Sequence, residues 1–146
     1  LIGALEKIKS YLDYGAFTPI QVAAASALSS DPSTIAKVRE VYKKRRNVLV
    51  DAMGKAGWEI PSPDATMFAW APIPEKFKPL GSLEFSKVLL KEAYISVAPG
   101  IGFGEYGENF VRIGLVENEH RIRQAARNIK AVFTKADKIL SDHSPN

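Results

Sequence analysis

The segment Phe110-Val111-Arg112-Ile113-Gly114-Leu115-Val116 alternates and clusters apolar residues as a strand does, and places one guanidinium in its middle. A charge inside an apolar strand costs free energy unless an anion or water meets it. Two arrangements satisfy Arg112. One is structural: an internal salt bridge, or an outward position at a sheet edge. The other is functional: a planar fork of N–H donors that binds a carboxylate through two parallel hydrogen bonds, which the point charge of lysine does not reproduce.

Other chemistry-bearing residues are weaker signals. Gly102-Phe103-Gly104-Glu105-Tyr106-Gly107 has the literal spacing of a dinucleotide-binding turn, but such a turn opens a helix whose N-terminus faces the pyrophosphate, and here a strand follows. The glycines read as tight-turn positions in a mobile loop. Lys43, Lys44, Arg45 and Arg46, with Arg121, Arg123, Arg127 and Lys130, lie at helical spacing among acidic neighbours such as Glu40, Asp51 and Glu119. A solvated helical face accounts for them without a nucleic-acid partner. His120 and His143 have no nucleophile or metal co-ligand nearby in sequence, so neither takes a role. Met67, Phe68 and Trp70 read as core and pocket wall.

The elements that must position Arg112 follow from periodicity. Leu1, Leu5, Ile8 and Leu12 share one helical face; Gly15 and Pro19 interrupt it, and Gln21 to Leu28 resumes it. Asp31 as N-cap and Pro32 in the first turn start a long helix that ends near Gly57. Extended runs are predicted at Trp58 to Ile60, Thr66 to Ile73, Ile95 to Ala98 and Phe110 to Val116. A proline-rich loop and a helix from Ser82 to Ala93 separate the second run from the third, and Asn118 caps a final helix with Ile122, Ala125, Ala126, Ile129 and Phe133 inward. Helices around a few sequence-distant strands make an α+β layer architecture.

Composition only bounds the answer. The 146 residues suit a domain with its own core, and a net charge of +4 is too small to argue for a nucleic-acid or membrane partner. Cysteine is absent, which excludes disulfides, thiolate catalysis and cysteine-held metals and is compatible with a reducing compartment. No apolar run approaches the roughly 18 residues that span a bilayer. The chain opens on Leu1 inside a helical pattern, as a cut within a longer protein would.

Five segments in order resemble the fold-type I aminotransferases that use pyridoxal phosphate: Ile8 to Gly15, Phe17 to Gln21, Pro63 to Trp70, Val97 to Gly100 and Phe110 to Asn118. The chain is most similar to the branch containing alanine- and aspartate-type aminotransferases of bacteria. The resemblance implies the family's small C-terminal domain, a three- to four-stranded sheet packed with helices and preceded by the helical end of the large domain. Residues 1–30 would then be that end of the large pyridoxal-phosphate domain with the interdomain connection, 31–140 the small domain, and 141–146 a flexible tail.

The same resemblance implies that Arg112 clamps the α-carboxylate of an amino acid and of a 2-oxo acid. It also implies that Thr18 approaches the cofactor phosphate of a neighbouring subunit, for which a helix cap is the plain alternative. Thr66 to Phe68 matches the substrate-side wall, with Asp64-Ala65 standing where relatives often carry glycine. The lysine that bonds the cofactor and the aspartate at its ring nitrogen belong upstream in the family, and no lysine here sits in the family's lysine motif. This chain therefore carries no catalytic residue, and alone it is expected to be inactive and not to hold the cofactor. The implied partners are amino-acid and 2-oxo-acid substrates, the large domain and a second subunit, with no nucleic acid and no membrane, in the cytoplasm. Three other readings stay open: a lyase, decarboxylase or synthase of the same superfamily, a stand-alone dimerisation or binding module, and a nucleic-acid-binding domain.

Overall fold

The computed structural model describes residues 1–12 and 15–142, apart from the side chain of Asp142. Asp13, Tyr14, His143 and the last residues of the expected tail lie outside the described residues. The chain divides into two compact units, Leu1–Lys37 and Val38–Asn146. The first contains α1 (Ile2–Leu12) and α2 (Thr18–Ser29), neither of which buries a residue. Helix α2 starts at Thr18, earlier than expected, because Pro19 fits a first helical turn.

Helix α3 (Ser33–Lys55) begins as its sequence signal implies. The Asp31 carboxylate accepts hydrogen bonds from the Ser33 hydroxyl at 2.7 Å and the Ser33 N–H at 3.0 Å, and these hold its pKa below the ordinary value. At the other end Gly57 takes φ 90°, and the chain reverses so that the Trp58 N–H reaches the Met53 carbonyl at 2.9 Å. None of the helices among the described residues is long and apolar enough to cross a membrane.

The second unit is built on a three-stranded antiparallel sheet of β1 (Phe68–Pro72), β2 (Ala98–Pro99) and β3 (Phe110–Gly114), with β3 in the middle. Helices α4 (Gly81–Ala93), α5 (Glu119–Thr134) and α6 (Ala136–Asp142) complete it. Residues Ala69, Ala71 and Val111 of the sheet are fully buried in one cluster with Phe85, Val88 and Leu89 of α4 and Ile122, Ala126 and Ile129 of α5. The Asn118 side chain accepts from the Arg121 N–H at 3.0 Å and caps α5 as expected.

All four predicted strands are shorter than expected or absent, and Phe110 to Val116 ends at Gly114. Trp58 to Ile60 buries Trp58 and Ile60 around an exposed Glu59, as a strand would, but joins no ladder. The second run loses Thr66 and Met67, since Thr66 takes φ 72° and breaks the extended backbone. The third loses Ile95 to Val97: Tyr94 takes the left-handed conformation after α4, and the Ile95 N–H is spent on the Leu89 carbonyl. The proline-rich loop holds a 3-10 turn, Glu75–Leu80, that buries Phe77. Ser141, expected in the tail, belongs to α6.

Trp58 is the keystone of this core, only 2 % exposed. It meets Phe85 and Phe133 edge-on at 5.7 and 5.9 Å between ring centroids, and its indole N–H donates to the Pro72 carbonyl at 2.8 Å. In urea unfolding, Trp58→Ala is expected to lose about 3–5 kcal/mol through the cavity left behind. Trp58→Phe should lose about 1–3 kcal/mol, since it keeps most of the packing but strands the Pro72 carbonyl.

Candidate functional site

Alternation along β3 sends Val111 into the core and Arg112 to the opposite face of the sheet, where Phe110 and Arg112 stand beside Trp70 and Phe68 of β1. Arg112 lies opposite Trp70 on one side and Ala98 on the other, so it occupies the middle strand and not an edge. Its guanidinium is held between two phenyl rings, with Cζ 4.2 Å from the Phe68 centroid and 4.5 Å from that of Phe103. Each such contact contributes about 0.5–2 kcal/mol according to how dry it is. Trp70 extends the aromatic surface, stacked on Phe110 at 5.5 Å and edge-on to Phe103 at 5.6 Å. Both rings lie against the guanidinium carbon, and among the described residues its N–H groups donate to no acceptor and it pairs with no carboxylate. The internal salt bridge that the sequence left open is therefore not made within the described chain. What remains is a half-buried donor edge of the shape that matches two oxygens of a carboxylate.

Both rings are placed by unusual backbone. Thr66, a β-branched residue with φ 72°, occupies a region that costs such residues about 1–3 kcal/mol. Its hydroxyl accepts the Phe68 N–H at 3.1 Å and so fixes where β1 begins. Phe103 sits between two 3-10 turns, Gly100–Phe103 and Glu105–Gly107. Gly100 and Gly107 close this loop backbone to backbone, since a Cβ on either would fall onto the carbonyl oxygen of the other. The Gly104 N–H donates to the Ile101 carbonyl at 3.0 Å and the Gly107 N–H to the Gly104 carbonyl at 2.9 Å. A loop read from sequence as mobile is thus pinched at its neck and hydrogen-bonded within. The strand β3 follows it, as the rejection of a nucleotide-binding turn requires.

The basic residues divide in a way periodicity did not show. Lys43 and Lys44 point outward, 4.0 Å from Glu40 and Glu119. Arg45 instead donates to the carbonyls of Leu115 and Val116 at 3.0 and 3.1 Å, tying α3 to the chain just beyond β3, and Arg46 reaches the Pro63 carbonyl at 3.3 Å. Arg45 and Arg46 are therefore structural, while Arg121, Arg123, Arg127 and Lys130 are exposed as expected. His120 is exposed. Of the three wall residues, Phe68 touches Arg112 and Trp70 is 38 % exposed on the outer face, while Met67 is half-buried and offers its carbonyl to the Leu115 N–H at 2.8 Å. Sequence reasoning passed over Phe103; the signal was a large apolar side chain isolated among glycines, 52 % exposed in the fold.

A model of the family described as aminotransferase class I and II matches residues 1–129. The chain belongs to the class I and II aminotransferases. The Rhizobium meliloti protein AatC is 66 % identical over 96 % of this chain and 35 % of its own length. The glutamate-pyruvate aminotransferase AlaC of Escherichia coli is 54 % identical over 96 % of the chain and 34 % of its own. The substrate-bound structure of BacF from Bacillus subtilis superposes with a TM-score of 0.78 at 32 % identity, over 90 % of this chain and 33 % of that one. The chain thus spans about a third of the length of the relatives it matches.

Class I and II aminotransferases depend on pyridoxal phosphate, and α2 tests what this chain offers to its phosphate. Pro19 has no N–H, and the N–H groups of Ile20 and Gln21 turn back to the Phe17 carbonyl at 3.0 and 3.4 Å. That leaves the exposed Thr18 hydroxyl as the side-chain donor at this helix end, enough for one contact and too little for a phosphate cradle. The residues described do not make a complete cofactor site.

The loop neck gives a direct check on the glycines. Gly107→Ala is expected to destabilise by about 1–3 kcal/mol by forcing the loop ends apart. Gly102→Ala, where a Cβ meets nothing within 4 Å, should stay within about 0.5 kcal/mol of the parent in the same urea titration. Equal sensitivity at the two positions would contradict the pinched-neck geometry.

Proposed function

We propose that the protein containing this chain transfers an amino group between an amino acid of alanine or aspartate type and a 2-oxo acid, with Arg112 binding the substrate α-carboxylate. The observation that carries this reading is the guanidinium held between Phe68 and Phe103 with its donor edge unengaged among the described residues. The activity for which AlaC is named, glutamate-pyruvate aminotransfer, at 54 % identity favours the alanine–pyruvate pair within that range.

Arg112 would donate two parallel N–H bonds to the carboxylate, and the two rings would hold the plane of that pair. Fixing the carboxylate fixes the direction of the neighbouring Cα–H bond, which is the bond that must be oriented for proton removal. The aromatic surface of Phe68, Trp70, Phe103 and Phe110 would exclude water around the ion pair and so strengthen it. Pyridoxal phosphate, when bound, supplies the carbonyl carbon that takes up the amino group and the ring that withdraws electrons.

The rest of the assignment follows from the same reading. Residues 1–30 would be the helical end of a large cofactor-binding domain that carries the lysine, and the following residues a small domain that closes over substrate. Thr18 would give its hydroxyl to the cofactor phosphate of a partner subunit in a homodimer, and the enzyme would work in the cytoplasm.

With L-alanine and 2-oxoglutarate, Arg112→Ala in the whole protein is expected to lower kcat/KM by about 100-fold while the cofactor absorbance is retained. Arg112→Lys should recover only part of this loss, since it restores the charge without the fork. Near-normal turnover by Arg112→Ala would reduce Arg112 to a structural residue. A preference for L-aspartate over L-alanine in the parent would select the other member of the substrate class.

A further inference from the structure

The helix α4 lacks a cap of its own, for Leu80 stands at its N-cap and offers no side-chain acceptor. A carboxylate 26 residues beyond Ser82 takes that place. Glu108 accepts the Ser82 N–H at 3.0 Å through one oxygen and the Ser82 hydroxyl at 2.8 Å through the other. A negative charge at a helix N-terminus satisfies free N–H groups and complements the helix dipole. The approach needs a glycine beneath it, since a Cβ on Gly81, at φ 71°, would collide with the Glu108 carboxylate.

The same hydroxyl works in a second direction. Ser82 is fully buried, and its Oγ accepts the Ile101 N–H at 3.0 Å while donating to Glu108. Ile101 lies two residues before Phe103, and Glu108 follows the glycine that closes the loop neck. Ser82 and Glu108 therefore hold the loop from both of its ends against the first turn of α4, and the loop carries one of the two rings on Arg112. Among the described residues, neither ring on Arg112 is held there by a hydrogen bond or charge of its own.

We propose that Glu108 and Ser82 are positioning residues for the carboxylate clamp: the latch between them sets Phe103 on the Arg112 guanidinium and so aims its donor edge. This rests on the reading of Arg112 as carboxylate ligand. Neither residue touches the guanidinium, so the latch acts through the loop and bears on the fit of the ground-state carboxylate. Its loss raises KM more than it lowers kcat.

The test is made on the whole protein with its cofactor. Glu108→Ala is expected to raise KM for L-alanine about tenfold with kcat within about threefold, and Glu108→Gln to fall between it and the parent. Phe103→Ala should give the same rise in KM while leaving α4 and its cap intact, so it stands in if Glu108→Ala folds poorly. Trp70 gives a readout that needs no turnover, because it packs edge-on to Phe103. The fraction of tryptophan emission that disappears in Trp70→Phe should become more open to acrylamide quenching in Glu108→Ala. Unchanged KM in both Glu108→Ala and Phe103→Ala, with Arg112→Ala raising it, overturns the latch and leaves the proposed function standing. Unchanged Trp70 quenching in Glu108→Ala also overturns it. If Arg112→Ala leaves KM unchanged, the carboxylate reading fails first and the latch fails with it.

Discussion

The arrangement depends on keeping a permanent positive charge in the middle of a small sheet. The fold must accommodate the ion itself. It does so by separating the two kinds of valence the group has. The weakly hydrated guanidinium carbon is set against aromatic rings, and its N–H donors are left for an anion or water. Period-two alternation makes this compatible with a dry core, since Val111 is fully buried on one side of the strand whose next residue is the charged one.

Much of this was legible in the sequence. Arg112 stands out because its neighbours are apolar on both sides, and the caps Asp31 and Asn118 declare helix starts through side chains that act on their own local backbone. Other failures, beyond the backbone turns at Thr66 and Tyr94, came where a local pattern was overridden by a distant partner. Trp58 to Ile60 alternates like a strand, yet its indole N–H bonds to Pro72, 14 residues away, and no ladder forms. Arg45 and Arg46 look like surface charges until carbonyls 70 and 17 residues on are seen to face them. Glu108 carried no signal at all, because Ser82, which it caps, lies 26 residues earlier.

The two rings on Arg112 reach it by different routes. Phe68 is set by ladder register and by one strained residue, Thr66, whose own hydroxyl bonds back to the strand. Phe103 is set by loop closure, through glycines where two backbone segments touch. A sheet supplies the first almost unaided, since register follows from which face is buried. The second needs contacts spread over α4, the loop and the start of β3, and it is the less redundant of the two.

The neck formed by Gly100 and Gly107 also separates what can change in this protein from what cannot. Between them the backbone has room for side chains at Gly102, where a Cβ would meet nothing, and at Tyr106, which is fully exposed. Neither residue at the neck can gain even a methyl group without displacing the other. The loop thus offers exchangeable rim positions on a fixed collar: natural or engineered variation at Gly102 and Tyr106 can retune the rim without altering the length of chain that spans the collar.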